Sequence, residues 1–233
     1  MRQHSTATTL SSRSQQRGHR VPSDVNTAIA ASAKQVLGPL GLTRKGRSRT
    51  WLDDHGWWLG VVEFQPSAWG PGSYLNVGAM FLWRPTDQLA FEILDRVADF
   101  SPATDQADFQ VALETKAEQA AQAVLTLRQR LRNLDDVIGY FAARTPTRHM
   151  YEAAHLGTAY MLAGDIARGQ QSLDLALELR ENASSSMWRA SEWLLTARVA
   201  AAAETTFRNW VTDTMNSTRA ALRLPAAVDA PTT

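Results

Sequence analysis

The stretch Trp57-Trp58-Leu59-Gly60-Val61-Val62-Glu63-Phe64-Gln65, followed after Pro66 to Gly72 by Ser73-Tyr74-Leu75-Asn76-Val77-Gly78-Ala79-Met80-Phe81-Leu82-Trp83, decides the fold. Successive side chains of a strand point to opposite faces. In the first run Leu59 and Val61 share a face with Trp57, and Trp58, Val62 and Phe64 take the other. Both faces demand burial, which marks a central strand. In the second run Leu75, Val77, Ala79, Phe81 and Trp83 point one way, and Tyr74, Asn76, Gly78, Met80 and Leu82 the other. Two prolines and two glycines between the runs cannot continue a ladder, so the chain turns there and the runs pair as antiparallel neighbours.

Upstream, Arg47 to Leu52 reads as a third, polar strand joined to Trp57 through the turn formers Asp53-Asp54-His55-Gly56. Ahead of it, a helix capped by Ser23 or Asp24 carries Val25, Ala28, Ile29, Ala33, Val36 and Leu37 at helical spacing and stops at Gly38-Pro39. Downstream, 86–100 fits two patterns: Leu89, Ile93, Val97 and Phe100 suit a helix, whereas Leu89, Phe91 and Ile93 suit a strand. From Asp105 the residues are helix formers as far as Ala143, with a break at Asn133 and another at Thr145-Pro146.

Met150 to Asn182 has the form of one tetratricopeptide-like helical hairpin, with Gly157 among the small residues where the helices cross and Gly164-Asp165 as the turn. A displacement of 34 residues finds no second copy, so a solenoid is not expected. Helices over Met187 to Ala203 and Thr205 to Leu222 complete the chain. The expected fold class is α+β: an antiparallel β-meander of three or more strands packed on helices, followed by an all-helical C-terminal region. The expected organisation is a disordered basic tail (1–21), an α+β domain (22–103), a helical region (104–223) containing the hairpin (150–182), and a disordered tail (224–233).

Composition narrows the chemistry. The 233 residues are 44% apolar and 20% charged, with eight tryptophans, which suffices for a core without staples. Cysteine is absent, so disulfides, thiolate metal sites and cysteine nucleophiles are excluded. A net charge of +1 supplies no global field for nucleic acid or anionic membranes. No apolar run reaches the roughly 20 residues of a spanning helix or the pattern of a secretory signal, and a cytoplasmic location is expected.

Four separated motifs, Val36-Leu37-Gly38-Pro39-Leu40-Gly41-Leu42, Arg44-Lys45-Gly46-Arg47, Val61 to Ser67 and Tyr74-Leu75-Asn76-Val77-Gly78, stand in the order seen in a bacterial family, and residues 22–130 resemble domain of unknown function 4304. The resemblance implies an α+β domain in a bacterial protein and no established activity. Pro66 stands where that pattern has a basic residue between Gln65 and Ser67.

Among candidate site residues, Gln65, Ser67 and Asn76 are polar positions in otherwise apolar strands, and buried amides require partners. They either line a pocket beside Trp58 and Trp69 or tie the Pro66–Gly72 loop to the sheet. Trp69, in a loop where burial is difficult, is a candidate for partner contact. His149, Glu152 and His155 form His-x-x-Glu-x-x-His, but at about 100° per residue the histidines lie roughly 120° apart and one helix cannot chelate with both. Arg44, Lys45, Arg47 and Arg49 beside Trp51 suit phosphate contact or edge-strand protection. Asp53 and Asp54, adjacent in a turn, are not expected to converge as an acid/base pair.

The sequence therefore points to a non-catalytic protein- or ligand-binding module using Gln65, Ser67, Trp69 and Asn76. The expected partner is another protein, without metal or other cofactor and without a membrane. A metal-dependent hydrolase and a nucleic-acid-binding protein are the alternatives.

Overall fold

A computed structural model of the chain describes residues 23–67, 72–102, 106–144, 149–181 and 188–226. The tail expected at 1–21, residues 227–233 of the tail expected at 224–233, and Trp69 lie outside the described residues. The sheet is a five-stranded antiparallel meander in sequence order: β1 (Thr43–Arg44), β2 (Thr50–Asp54), β3 (Trp58–Glu63), β4 (Gly72–Phe81) and β5 (Ile93–Pro102). With the helices that follow, the fold class is α+β, as the alternation of β3 and β4 requires.

Both ends of β2 differ from the sequence reading, and β3 and β4 end two residues earlier than their apolar alternation suggests. Residues 47–49 are a loop rather than strand, because Arg44 donates from Nε to the Ser48 carbonyl (2.7 Å) and from Nη2 to the Arg47 carbonyl (3.0 Å). Asp53 and Asp54 belong to the ladder instead, opposite Gly60 and Leu59. The hairpin turn contracts to 55–57, where Gly56 takes φ +81°, a conformation a side chain disfavours. The ambiguous segment resolves into strand β5, because the far edge of β4 needs a hydrogen-bonding partner that no helix supplies. Two irregularities between Ser73 and Asn76 let β5 advance five residues, from Ser101 to Arg96, against three of β4.

Helix α1 (Ser23–Leu37) and the long α2 (Gln106–Arg130) cover one face of the sheet. Val25, Ile29, Ala33 and Leu37, with Phe109, Leu113, Ala120 and Val124, pack on Trp51, Val62, Phe64, Leu75 and Val77. Asn133 caps α3 (Leu134–Ala142) by accepting from the Asp136 N–H at 2.9 Å, so the expected break is a helix start. The other helices are α4 (Met150–Leu162), α5 (Ile166–Glu181), α6 (Trp188–Ala200) and α7 (Glu204–Leu222).

Helices α4 and α5 form a hairpin that turns at Ala163-Gly164-Asp165. A Cβ on Gly157 would lie 3.0 Å from the Gly169 carbonyl oxygen, and one on Gly169 would lie 2.6 Å from Met161 Cγ. Only glycine permits that crossing. A second buried cluster runs from Leu52, Leu59, Val61, Met80 and Leu82, through Phe81 and Trp83, into α3–α7, so sheet and helical region share one core.

Candidate functional site

The sheet register puts Thr50, Glu63, Asn76 and Arg96 in one cross-strand row, on the face opposite the α1/α2 layer. Gln65 and Tyr74 lie beside them. Asn76 donates from Nδ2 to Gln65 Oε1 (2.9 Å) and to Glu63 Oε2 (3.3 Å). It is 5% exposed, and its Oδ1 has no hydrogen-bond partner among the described residues. The Arg96 guanidinium sits 4.8 Å above the Tyr74 ring, and the Tyr74 ring lies 5.2 Å from that of Phe100. Of the four residues read from the sequence, Gln65 and Asn76 are in direct contact, Ser67 is half-buried just beyond the strand, and Trp69 is outside the described residues. Glu63, Tyr74 and Arg96 join the rim; their alternation with buried residues was visible in sequence, but their common row depends on the register.

The basic run is engaged locally. Arg44 closes its own loop, and Arg49 donates to Asn26 Oδ1 (2.6 Å) and to the Gly72 carbonyl (3.1 Å). β1 is the sheet edge, where charged residues discourage further pairing.

His149 and His155 part company. His149 is exposed at the start of α4, whereas His155 is 1% exposed. His155 Nδ1 accepts from Trp83 Nε1 at 3.0 Å. An indole N–H can only donate, so the imidazole proton resides on Nε2. Nε2 lies 3.4 Å from Glu92 Oε2, a close polar contact without hydrogen-bond alignment. Glu92 also accepts from the Phe81 N–H (2.6 Å) and from Arg84 Nε. Burial alone pushes the Glu92 carboxyl up; His155, Arg84 and the Phe81 N–H outweigh it and lower the pKa to about 2. The cluster joins β4, the segment before β5, and α4.

Asp53 and Asp54 are each held by an arginine. Arg128 of α2 donates to both Asp53 oxygens (2.9 and 2.7 Å), and His55 Nε2 approaches Oδ2 at 2.8 Å. Arg219 of α7 binds both Asp54 oxygens (2.8 and 2.6 Å). Against the upward push of burial, these partners lower both carboxyls. The pair diverges toward two different helices, which suits adhesion rather than shared proton transfer.

Lys116, 3% exposed, is a buried residue that sequence reading missed. Its ammonium donates to the carbonyls of Ser73 (2.5 Å) and Asp99 (2.7 Å), clamping the irregular part of the β4–β5 ladder. Burial lowers its pKa to about 8, against the opposing pull of Asp99. The signal was its place among Leu113, Ala117 and Ala120 on the buried stripe of α2.

Among the described residues no three His, Asp or Glu side chains converge as metal ligands, and no helix is long and apolar enough to cross a membrane. No family model, no curated protein and no solved structure matches the chain.

Proposed function

We propose that the protein is a non-catalytic binding module that engages another protein through the polar rim of Gln65, Asn76, Glu63, Tyr74 and Arg96, together with Ser67 and, two residues further in the sequence, Trp69. One observation carries this reading: Asn76, buried in the middle of a strand, keeps an unused acceptor beside exposed Arg96. A buried acceptor without a partner is costly, and a partner that moves the half-buried Gln65 and Tyr74 side chains aside would bring it a donor. The carboxylates nearest to acid/base geometry, Asp53, Asp54 and Glu92, are each taken up by arginine, which favours binding over catalysis. A metal-dependent hydrolase built on His155 draws no support from a ring enclosed by Phe81, Phe141 and Trp193. The bacterial, cytoplasmic setting implied by composition and by the resemblance to domain of unknown function 4304 belongs to the same proposal.

The test is affinity capture from native lysate with the wild-type chain and with Gln65→Ala, Asn76→Ala and Trp69→Ala variants that melt like it. A specific partner should be retained by wild type and lost from the rim variants. Retention of every captured species by all three variants would sink the proposal.

A further inference from the structure

Charge is divided unevenly along the chain. The first 50 residues hold nine of the 24 lysines and arginines and one of the 23 acidic residues, a net +8. The other residues hold 15 and 22, a net −7, so the overall +1 conceals a positive pole.

The fold gathers part of that pole in one place. The turn between β1 and β2 and its flanks carry Arg44, Lys45, Arg47 and Arg49, and Arg49 Nε donates to Asn26 Oδ1 in the first turn of α1 at 2.6 Å. The turn therefore meets the start of the helix into which residues 1–22 lead, a stretch with Arg2, Arg13, Arg17 and Arg20 and no acid. Eight arginines from Arg84 onward are ion-paired, whereas none of the four cations at this turn pairs with a described carboxylate. Arg44 and Arg49 bond to backbone carbonyls and one amide oxygen, which fix the side chains and leave their charge uncancelled. Lys45 and Arg47 contribute only their carbonyls to the turn, and their side chains make no hydrogen bond to the described residues. Like charges held together without counter-charge favour a polyanion.

The surroundings of these cations decide which polyanion. Residues 45–49 include no apolar side chain and residues 1–22 no aromatic, so the apolar anchor with which basic segments enter a lipid interface is missing. Trp51 is 5% exposed and packs in the core beneath α1 and α2, so an unpaired base has no ring to stack on. Arginine forks match phosphate oxygens, and a duplex presents phosphates in regular rows with its bases already stacked.

We propose that the β1–β2 turn, with Lys45 and Arg47 as contacts, and the arginines leading into α1 bind double-stranded nucleic acid through its phosphates, without reading base sequence. The surface adjoins the rim at Thr50 and uses none of the rim's residues, so either assignment can fail alone.

A short fluorescein-labelled DNA duplex, the matching RNA duplex and the single strands are titrated with the full chain by anisotropy. Neutralising about six phosphates gives log Kobs a slope of about −5 against log salt, a loss of about 10³ between about 50 and 200 mM. Lys45→Gln with Arg47→Gln removes two contacts that the fold does not use. It should lower the slope by about 2 and weaken duplex binding about 100-fold at about 50 mM salt. The joint change Arg2→Gln, Arg13→Gln, Arg17→Gln and Arg20→Gln should lower the slope by about 3 to 4; should the turn variant unfold, this one decides alone. Salt-steep binding of either duplex supports the assignment, and the preference between them names the source. A slope shallower than about −2 would overturn it. So would undiminished affinity in both variants, tighter binding of a single strand, or equal binding of polyglutamate or phosphatidylserine vesicles at the same salt.

Discussion

The two ends of β4 bury polar groups in opposite ways. At the Phe81–Trp83 end, Glu92 is met by Arg84, by the Phe81 N–H and by the His155 ring, and Trp83 finds its acceptor on that ring. Toward the other end, Asn76 is as thoroughly buried, yet one of its two polar atoms is left over and its neighbours Glu63, Gln65 and Tyr74 are only half-buried. The first arrangement spans three elements and fixes the helical region to the sheet. The second spans neighbouring strands of the sheet alone and fixes nothing beyond it. Polar burial that joins layers holds them together, and polar burial confined to one sheet face does not.

The strongest way to break this contrast is Glu92→Ala. Removing one member of a buried charge pair strands the other, here Arg84 at 17% side-chain exposure, and should cost about 3–5 kcal/mol in urea unfolding. A loss under about 1 kcal/mol would show that the junction does not hold the layers. The same group predicts an acid limb. Its folded pKa is depressed from 4.5 to about 2, so its stabilisation is complete above pH 4.5 and is lost as pH falls toward 2. The wild type should lose roughly 3 kcal/mol more over that window than Glu92→Gln, a difference read from urea midpoints at each pH.

His155→Phe should follow, at about 1–3 kcal/mol. The new ring keeps the aromatic packing against Phe81 and Phe141 but leaves the fully buried Trp83 N–H without an acceptor. A neutral result in thermal melts would reduce His155 to a space-filling ring.

How far these features were legible from residues alone follows from which forces are local. The meander was legible because β3 and β4 alternate cleanly, and the helix boundaries because Asn133 and Gly164-Asp165 act within one turn of themselves. β5 was ambiguous because its pattern fits two periods and only the unpaired edge of β4 decides between them. The ends of β2 were misplaced because Arg44 bends its own loop through side-chain bonds that propensity does not record. Gln65 and Asn76 were found together, while Glu92 and Arg84 were not, since nothing in their spacing foretells that His155, more than sixty residues on, closes over them.

Lys116 sharpens the contrast at the open end, where it clamps the ladder from the α2 side. Its folded pKa of about 8 lies below the ordinary 10.5, so the folded state releases its proton first and stability rises as pH climbs from about 8 to 10.5. Lys116→Met should flatten that rise. The difference between pH 7.5 and 10 should be about 2 kcal/mol, the part of that shift the window spans. Unfolding midpoints at pH 7.5 and 10 are the measurement.

Asn76→Ala carries the smallest expected effect on stability and the most direct bearing on function. Asn76 and His155 are 5% and 1% exposed, so burial alone would make their substitutions equally damaging. The groups that Asn76 leaves behind, Gln65 Oε1 and Glu63 Oε2, belong to half-buried side chains that water reaches once the amide is gone. The substitution also removes the unpartnered Oδ1, whose burial opposes folding. The two terms nearly cancel, and the variant should unfold within about 1 kcal/mol of wild type while losing the partner captured through the rim. A cost matching that of His155→Phe would make Asn76 a structural strut, and the two ends of β4 would then be doing the same work.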